Sequence, residues 1–205
     1  WEHGATQANV TTLRSRGAVV VEPAEGRLTG ADSGKGRLPE PDELFQVATE
    51  ILARGHRGLD LAGRHVVVSA GGTREYLDPV RFLGNRSSGR QGYALARAAV
   101  SRGAAVTLIS ANVSLPDPAG VKVVRVETTG QLRDAVVSAA ASADAVVMAA
   151  APADYRPTTV SQSKIKKAGD GSAPGLELTQ NPDILHEIAT QRTRPESVVV
   201  GFAAE

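Results

Sequence analysis

The residues with the most chemical capacity sit just past a buried-strand pattern. Residues 144–151 read Asp-Ala-Val-Val-Met-Ala-Ala-Ala, and Asp154-Tyr155-Arg156-Pro157 and Ser163-Lys164-Ile165-Lys166-Lys167 follow. In open parallel sheets, ligands bind outside the carboxyl ends of the strands. An acid, an aromatic ring and a cationic cluster are therefore delivered to that end. Lysines there suit a phosphate-bearing ligand, because an ammonium on a flexible stem is a mobile point charge. A solvated basic loop explains the same residues without a ligand, and the local sequence does not separate the two.

Gly71-Gly72-Thr73 closes an earlier strand pattern over residues 64–70. It could be a dinucleotide phosphate loop, but Gly-x-Gly-x-x-Gly would open its helix at once. Here residues 74–88 intervene before Gly89-Arg90-Gln91-Gly92. Loops of that length are more often functional than accidental. The next strand, 105–110, runs on into Ala111-Asn112. It lacks the acid that a dinucleotide enzyme sets on the ribose hydroxyl. An NAD(P)-dependent oxidoreductase stays as an alternative, weakened on both counts.

Asn85-Arg86-Ser87-Ser88-Gly89 places an amide, a guanidinium and two hydroxyls at a helix N-terminus. Unpaired N–H groups and the helix dipole attract anions to such an end. Capping by Ser87 or Ser88 explains the serines but requires neither Asn85 nor Arg81. Asn181-Pro182-Asp183-Ile184 opens another helix, with Asn181 read as the cap, Pro182 at the first position and Asp183 in the first turn. His3, His56, His65 and His186 show no metal-ligand spacing, so no protein-only metal site is expected.

These segments need a scaffold, and the 205 residues supply an alternation of strands and helices. Strands at 64–70, 105–110, 121–126, 144–151 and 197–200 alternate with helices at 89–102, 131–141 and from 181. That pattern predicts a doubly wound, Rossmann-like α/β domain, mostly parallel, with helices on both faces. Aromatic residues are only 3%, so packing rests on Val, Leu, Ile and Ala. The balance of 23 basic and 22 acidic residues gives no case for nucleic acid or an acidic membrane. The chain has no cysteine, which excludes disulfides and thiolate metal sites within it and fits a cytoplasmic location. No apolar run is long enough to span a bilayer, and no secretory pattern opens the chain.

Residues 1–55 have their own character. A helix is predicted at 9–17 and a strand at 18–23. The Gly-rich stretch 24–38 is read as a mobile flap or tight loop without regular structure. A helix opens at Pro41, runs to about Arg54 and stops at Gly55. Residues 56–63 are the linker and 64–205 the second domain. The chain opens on Trp1 and stops just past its last strand, so it is expected to be part of a longer one.

Taken in order, Ser69-Ala70-Gly71-Gly72-Thr73-Arg74-Glu75, Asp78-Pro79-Val80-Arg81-Phe82, Asn85-Arg86-Ser87-Ser88-Gly89, the stretch 148–157, Lys164-Ile165-Lys166-Lys167, Asn181-Pro182-Asp183-Ile184 and Gly201-Phe202-Ala203-Ala204-Glu205 resemble the phosphopantothenate–cysteine ligase family of coenzyme A biosynthesis. Residues 1–55 resemble the end of an FMN-dependent phosphopantothenoylcysteine decarboxylase module, through Ala5-Thr6-Gln7-Ala8-Asn9-Val10 and Gly34-Lys35-Gly36-Arg37-Leu38-Pro39-Glu40-Pro41. The flap cysteine common in that module is missing, and its histidine and most flavin contacts would lie upstream, so decarboxylation by this chain alone is not expected.

The ligase resemblance implies CTP, 4′-phosphopantothenate and cysteine as substrates, with an acyl-cytidylate intermediate and Mg²⁺ carried by the triphosphate. It implies Lys164 on the nucleotide phosphates, Asn85 on the acyl carbonyl and Arg81 assisting. CTP contacts would come from Met148, Ala149, Ala150, Asp154, Asn181, Pro182, Asp183, Ile184 and Phe202. It further implies a homo-oligomer, with ligase dimers and higher assembly through the decarboxylase module. Two family lysines would follow Phe202 beyond the end of this chain, which leaves a non-catalytic assembly fragment as a further alternative.

Overall fold

The computed structural model describes the chain apart from residues 30–31, 56–58, 168–174, 193 and 204–205. It divides into two compact units, Trp1–Gly58 with Pro118–Gly120, and Leu59–Asp117 with Val121–Glu205.

The first unit contains α1 (Gly4–Ser15), β1 (Ala24–Arg27), β2 (Ser33–Arg37) and α2 (Pro41–Arg54). Helix α2 has proline in its first turn, Asp42 and Glu43 beside it, and Gly55 at φ 60° as its stop. The chain meets the positive end of the dipole with acids and leaves through a residue with no Cβ. Helix α1 starts five residues earlier than its sequence pattern predicts. The strand expected at 18–23 does not form. Strand propensity measures fit to a pleated, half-buried surface, and this run has no described strand beside it to take its backbone groups. The Gly-rich stretch instead holds an antiparallel hairpin, with Glu25 opposite Lys35 and Arg27 opposite Ser33. The glycine at 26 makes room here: a Cβ on it would stand 2.9 Å from Arg37 Nη1.

The second unit runs β3 (His65–Gly71), β4 (Glu75–Tyr76), β5 (Phe82–Leu83), α3 (Arg90–Ser101), β6 (Ala105–Ala111), β7 (Val121–Val126), α4 (Thr129–Ala140), β8 (Ala145–Met148), β9 (Tyr155–Pro157), β10 (Leu178–Gln180), α5 (Ile184–Thr190) and β11 (Val198–Gly201). Five strands form one parallel sheet in the order β11-β8-β3-β6-β7. Winding starts at β3, proceeds outward through β6 to β7, then returns to β8 on the other side. The reversal places a switch point between β3 and β8, where such sheets open a crevice at the strand carboxyl ends. Of the predicted linker, residues 59–63 belong to this unit, and 56–58 lie outside the described residues.

Alternate residues of β3 face opposite layers, as the period of a strand requires. Val66, Val68 and Ala70 pack with Tyr93, Ala96 and Ala99 of α3. Val67 packs with Leu132 and Val136 of α4 and with Ile184 and Ile188 of α5. Each large aliphatic side chain so buried stabilises the fold by ~1.5–3 kcal/mol. This is the doubly wound α/β sheet that the alternation of elements predicts. Strand β8 is shorter than expected. It leaves the ladder after Met148, and Ala151 keeps only an isolated parallel bridge to Gly72. The 74–88 loop carries the small antiparallel pair β4–β5, and the chain after β8 carries β9–β10.

Candidate active site

The end of β3 is covered by residues 84–88. A Cβ on Gly72 would lie 2.4 Å from the Asn85 carbonyl oxygen, and one on Gly84 would lie 2.5 Å from that of Thr73. Only hydrogens in those places let the two backbones meet. Asn85 Nδ2 then donates to Pro152 O at 2.8 Å, which joins this loop to the segment after β8. An open cleft of about 430 Å³ lies alongside, lined among others by Thr73, Arg74, Asn85, Arg86, Ser87 and Asn112. The Arg74 guanidinium stands 4.8 Å over the Phe82 ring.

Helix α3 starts beside this cleft. Its cap residue is Gly89, at φ 73°, without a side-chain capping bond. Ser87 Oγ and Ser88 Oγ lie 3.4 and 3.5 Å from the N–H groups of Gly89 and Arg90, too far to be good acceptors. Capping by either serine is therefore not formed, and the first-turn N–H groups are left to a ligand or water.

Lys164 is exposed, and its loop is fixed one residue further on. Ile165 N donates to Asp78 Oδ2 at 3.1 Å, and Ile165 O accepts from Arg81 Nη2 at 2.8 Å. Asp78 is fully buried. Its carboxylate takes the Arg81 guanidinium and the N–H groups of Val80 and Arg81 as well. The Arg81 side chain, with the backbone donors, outweighs burial and holds the Asp78 carboxyl well below the usual carboxylate range. Arg81 thus straps the turn after β4 to the Lys164 loop.

A buried polar network supports the other side. Thr129 donates to Glu75 Oε1 through its N–H at 2.8 Å and its hydroxyl at 2.9 Å. Its only hydroxyl proton being engaged, Thr129 must accept from the Thr73 hydroxyl, 2.9 Å away. Thr73 Oγ1 in turn accepts from Ala153 N at 2.8 Å. Asn181 closes the set: Nδ2 donates to Ala153 O at 2.8 Å, and Oδ1 accepts from Arg156 Nη1 at 2.8 Å. Asn181 is therefore not the helix cap. Asp183 is, accepting from His186 N at 2.8 Å, and Pro182 lies before the helix rather than in its first turn. Beside this network runs a groove of about 1040 Å³ walled by Glu75, Arg133, Arg156, Asn181, Pro182 and His186.

The remaining candidates fall around the same strand ends. Met148 is buried at the end of β8, its sulfur 3.6 Å from the Ser69 hydroxyl, and Ala150 N donates to Ser69 Oγ at 3.1 Å. Ala149 follows Met148. Asp154 is exposed, and its carbonyl accepts from Asn181 N at 2.8 Å. The Ile184 side chain lies in the core, so only its backbone can meet a ligand. Phe202 is half exposed just past β11. Thr73, Glu75, Thr129 and Asn112 belong to the site's framework, though sequence gives none of them a role there. The sequence signals were slight: a threonine after paired glycines, and an asparagine where a strand ends.

Strand order and converging loops define a Rossmann-like α/β domain with a cleft beside the carboxyl end of β3. The chain belongs to the DNA/pantothenate metabolism flavoprotein C-terminal domain family, whose model matches residues 61–205. It is similar to the coenzyme A biosynthesis bifunctional protein CoaBC of Mycobacterium tuberculosis, 56% identical over 212 residues that cover 100% of this chain and 50% of that protein. Against CoaBC of Bacillus subtilis the identity is 43% over 206 residues, with the same coverage of 100% and 50%. The chain spans about half the length of the curated relatives it matches, and the match includes residues 1–60. Among solved structures it is similar to the C-terminal domain of CoaBC, with a TM-score of 0.60 at 38% identity over 71% of this chain and 66% of that one.

Proposed function

We propose that this domain catalyses the CTP-dependent joining of 4′-phosphopantothenate and cysteine, a step of coenzyme A biosynthesis. The observation that carries the reading is Asn85, held by Pro152 O across the switch point between the ends of β3 and β8. Its Nδ2 has two N–H bonds. One holds Pro152 and the other can meet an acyl oxygen.

In the first half-reaction the substrate carboxylate attacks the α-phosphorus of CTP. A carboxyl-oxygen-to-phosphorus bond forms, and pyrophosphate leaves with the electron pair of the broken anhydride. In the second, the cysteine amine attacks the acyl carbon, cytidine monophosphate departs and the nitrogen loses a proton. Two anions meet in the first step, so fixed cations lower its barrier. Lys164 is the cation for the phosphates, with Arg74 and Arg86 on the cleft wall. Arg81 works through Asp78 and Ile165, positioning the Lys164 loop. An oxyanion develops in the second step, and the free Asn85 N–H is the donor for it.

Cytidine would lie along the backbone from Met148 to Ala150 and Asp154, with Asn181, Pro182, Asp183 and Ile184 behind it and Phe202 beside the ring. Asn181 and Ile184 contribute through backbone, since their side chains are engaged elsewhere. Among the described residues no three His, Cys, Asp or Glu side chains gather to hold a metal. Mg²⁺ would be brought by the triphosphate, where it would offset charge between the phosphates. Joining an acid to an amine changes no oxidation state, so FMN is assigned to the decarboxylase module, with most of its contacts from residues outside this chain. Among the described residues no helix is long and apolar enough to cross a membrane. A cytoplasmic homo-oligomer is part of the same reading.

The test is pyrophosphate release from CTP, 4′-phosphopantothenate and Mg²⁺, with and without cysteine. A stoichiometric burst without cysteine and sustained turnover with it are expected. No release under either condition overturns the reading.

A further inference from the structure

Asn112 follows the last residue of β6, at φ 53°, and is the one non-glycine residue in the left-handed region among the described residues. Asparagine tolerates that conformation better than most side chains do. Both N–H bonds of its amide are in use: Nδ2 donates to Gly72 O and to Glu127 O, each at 2.9 Å. Gly72 follows β3 and Glu127 follows β7, so one side chain ties together the ends of the two strands flanking β6. Arg74 N also donates to Glu127 O, at 2.8 Å. Gly72 is the residue against which the Asn85 backbone packs.

We propose that Asn112 is a positioning residue that fixes the Gly72–Thr73 peptide and, through it, the Asn85 amide. The inference rests on the ligase reading for its effect on rate, but its geometric half does not. An acid at this position would turn a carboxylate toward two carbonyls. A hydrophobic residue would take its donor from both, leaving Glu127 O with Arg74 N alone, and would resist the backbone angle.

Asn112→Gly keeps the backbone freedom and removes both donors. Asn112→Asp keeps the shape and reverses the polarity. Both are compared with the unaltered protein for kcat, for the KM of CTP, and for the Asn85 side-chain amide resonance in a nitrogen–proton correlation spectrum. Displacement of a positioned group is expected to lower kcat by ~10–100-fold, with the KM of CTP changed by no more than about twofold. The Asn85 amide resonance should shift in both variants. An unmoved resonance overturns the proposal, whatever happens to the rate. So does a raised KM with unchanged kcat, which would place Asn112 in ground-state binding. If the unaltered protein shows no ligase activity, the ligase reading falls and the Asn85 resonance still decides the geometric claim. Should Asn112→Gly lose its fold, Asn112→Ser, with a single shorter donor, carries the same comparison.

Discussion

Asn85 and Asn181 hold consecutive carbonyls of one segment: Asn85 Nδ2 donates to Pro152 O and Asn181 Nδ2 to Ala153 O, each at 2.8 Å. One asparagine comes from the loop that covers β3 and the other from the approach to α5. The chain leaving β8 is thus pinned twice within two residues, and Thr73 adds a third bond at Ala153 N. A segment held this way presents its remaining groups without reorganising when charge develops, which is the basis of electrostatic catalysis.

Asn85→Asp should remove the donor to Pro152 O and set a negative charge beside the acyl oxygen. Loss of an oxyanion donor raises a barrier by about 3–4 kcal/mol, and the added charge should not reduce that. Rapid quench with labelled CTP, following acyl-cytidylate and final amide separately, measures both half-reactions. Near-normal rates in a folded variant would return the 84–89 loop to a structural role.

Lys164→Gln should act mainly on the first half-reaction. It removes the cation facing the phosphates and leaves Asn85 in place. Acyl-cytidylate formation should slow by ~100-fold or more, the scale on which a single electrostatic donor acts. Conversion of preformed acyl-cytidylate by cysteine should be nearly unaffected. Equal slowing of both steps would show that the lysine serves the fold of its loop.

CTP should bind at least about tenfold more tightly than ATP, roughly 1.4 kcal/mol. Cytosine has one ring and an amino edge that backbone groups can read, whereas adenine has two rings and a different edge. Titration calorimetry with each nucleotide and Mg²⁺ measures the ratio, and equal affinities would remove the cytidine assignment.

Asp78→Asn should destabilise the fold near neutral pH and less so in acid. The folded-state pKa of Asp78 lies below its ordinary 3.8, chiefly through Arg81. A depressed carboxyl contributes stability above the unfolded value and loses it as pH falls through the folded value. The difference between the two proteins in urea should hold from neutrality to about pH 4 and shrink below it. A difference that grew with acid would contradict the assignment of charge.

Much of the scaffold was legible in the sequence. Strands β3, β6 and β7 and helices α3 and α4 carry periodic apolar residues that face the sheet or its helices, so pattern and burial agree. The failures share a cause. Residues 18–23 have strand propensity without a neighbour, whereas the Gly-rich 24–38 has little propensity and a partner within the same stretch. Pairing decided both, and local sequence does not encode who stands alongside. The site divides in the same way. Asn85 and Lys164 stand out as chemistry at strand ends, but Asn181 reads as a cap because Asn181 and Asp183 are both good caps. Only the distant Ala153 and Arg156 decide between them. Asn112 and Glu75 have their meaning in bonds to residues 40 and 54 positions away.

Residues 78 and 165 are 87 positions apart, yet a single carboxylate joins them. A mutational scan would therefore score Asp78 among the ligand-contacting positions although its bonds run within the protein. Damage at Asp78 is felt in the far segment as well as in its own turn. For inheritance, the hairpin turn and the lysine arm are one trait written in two places.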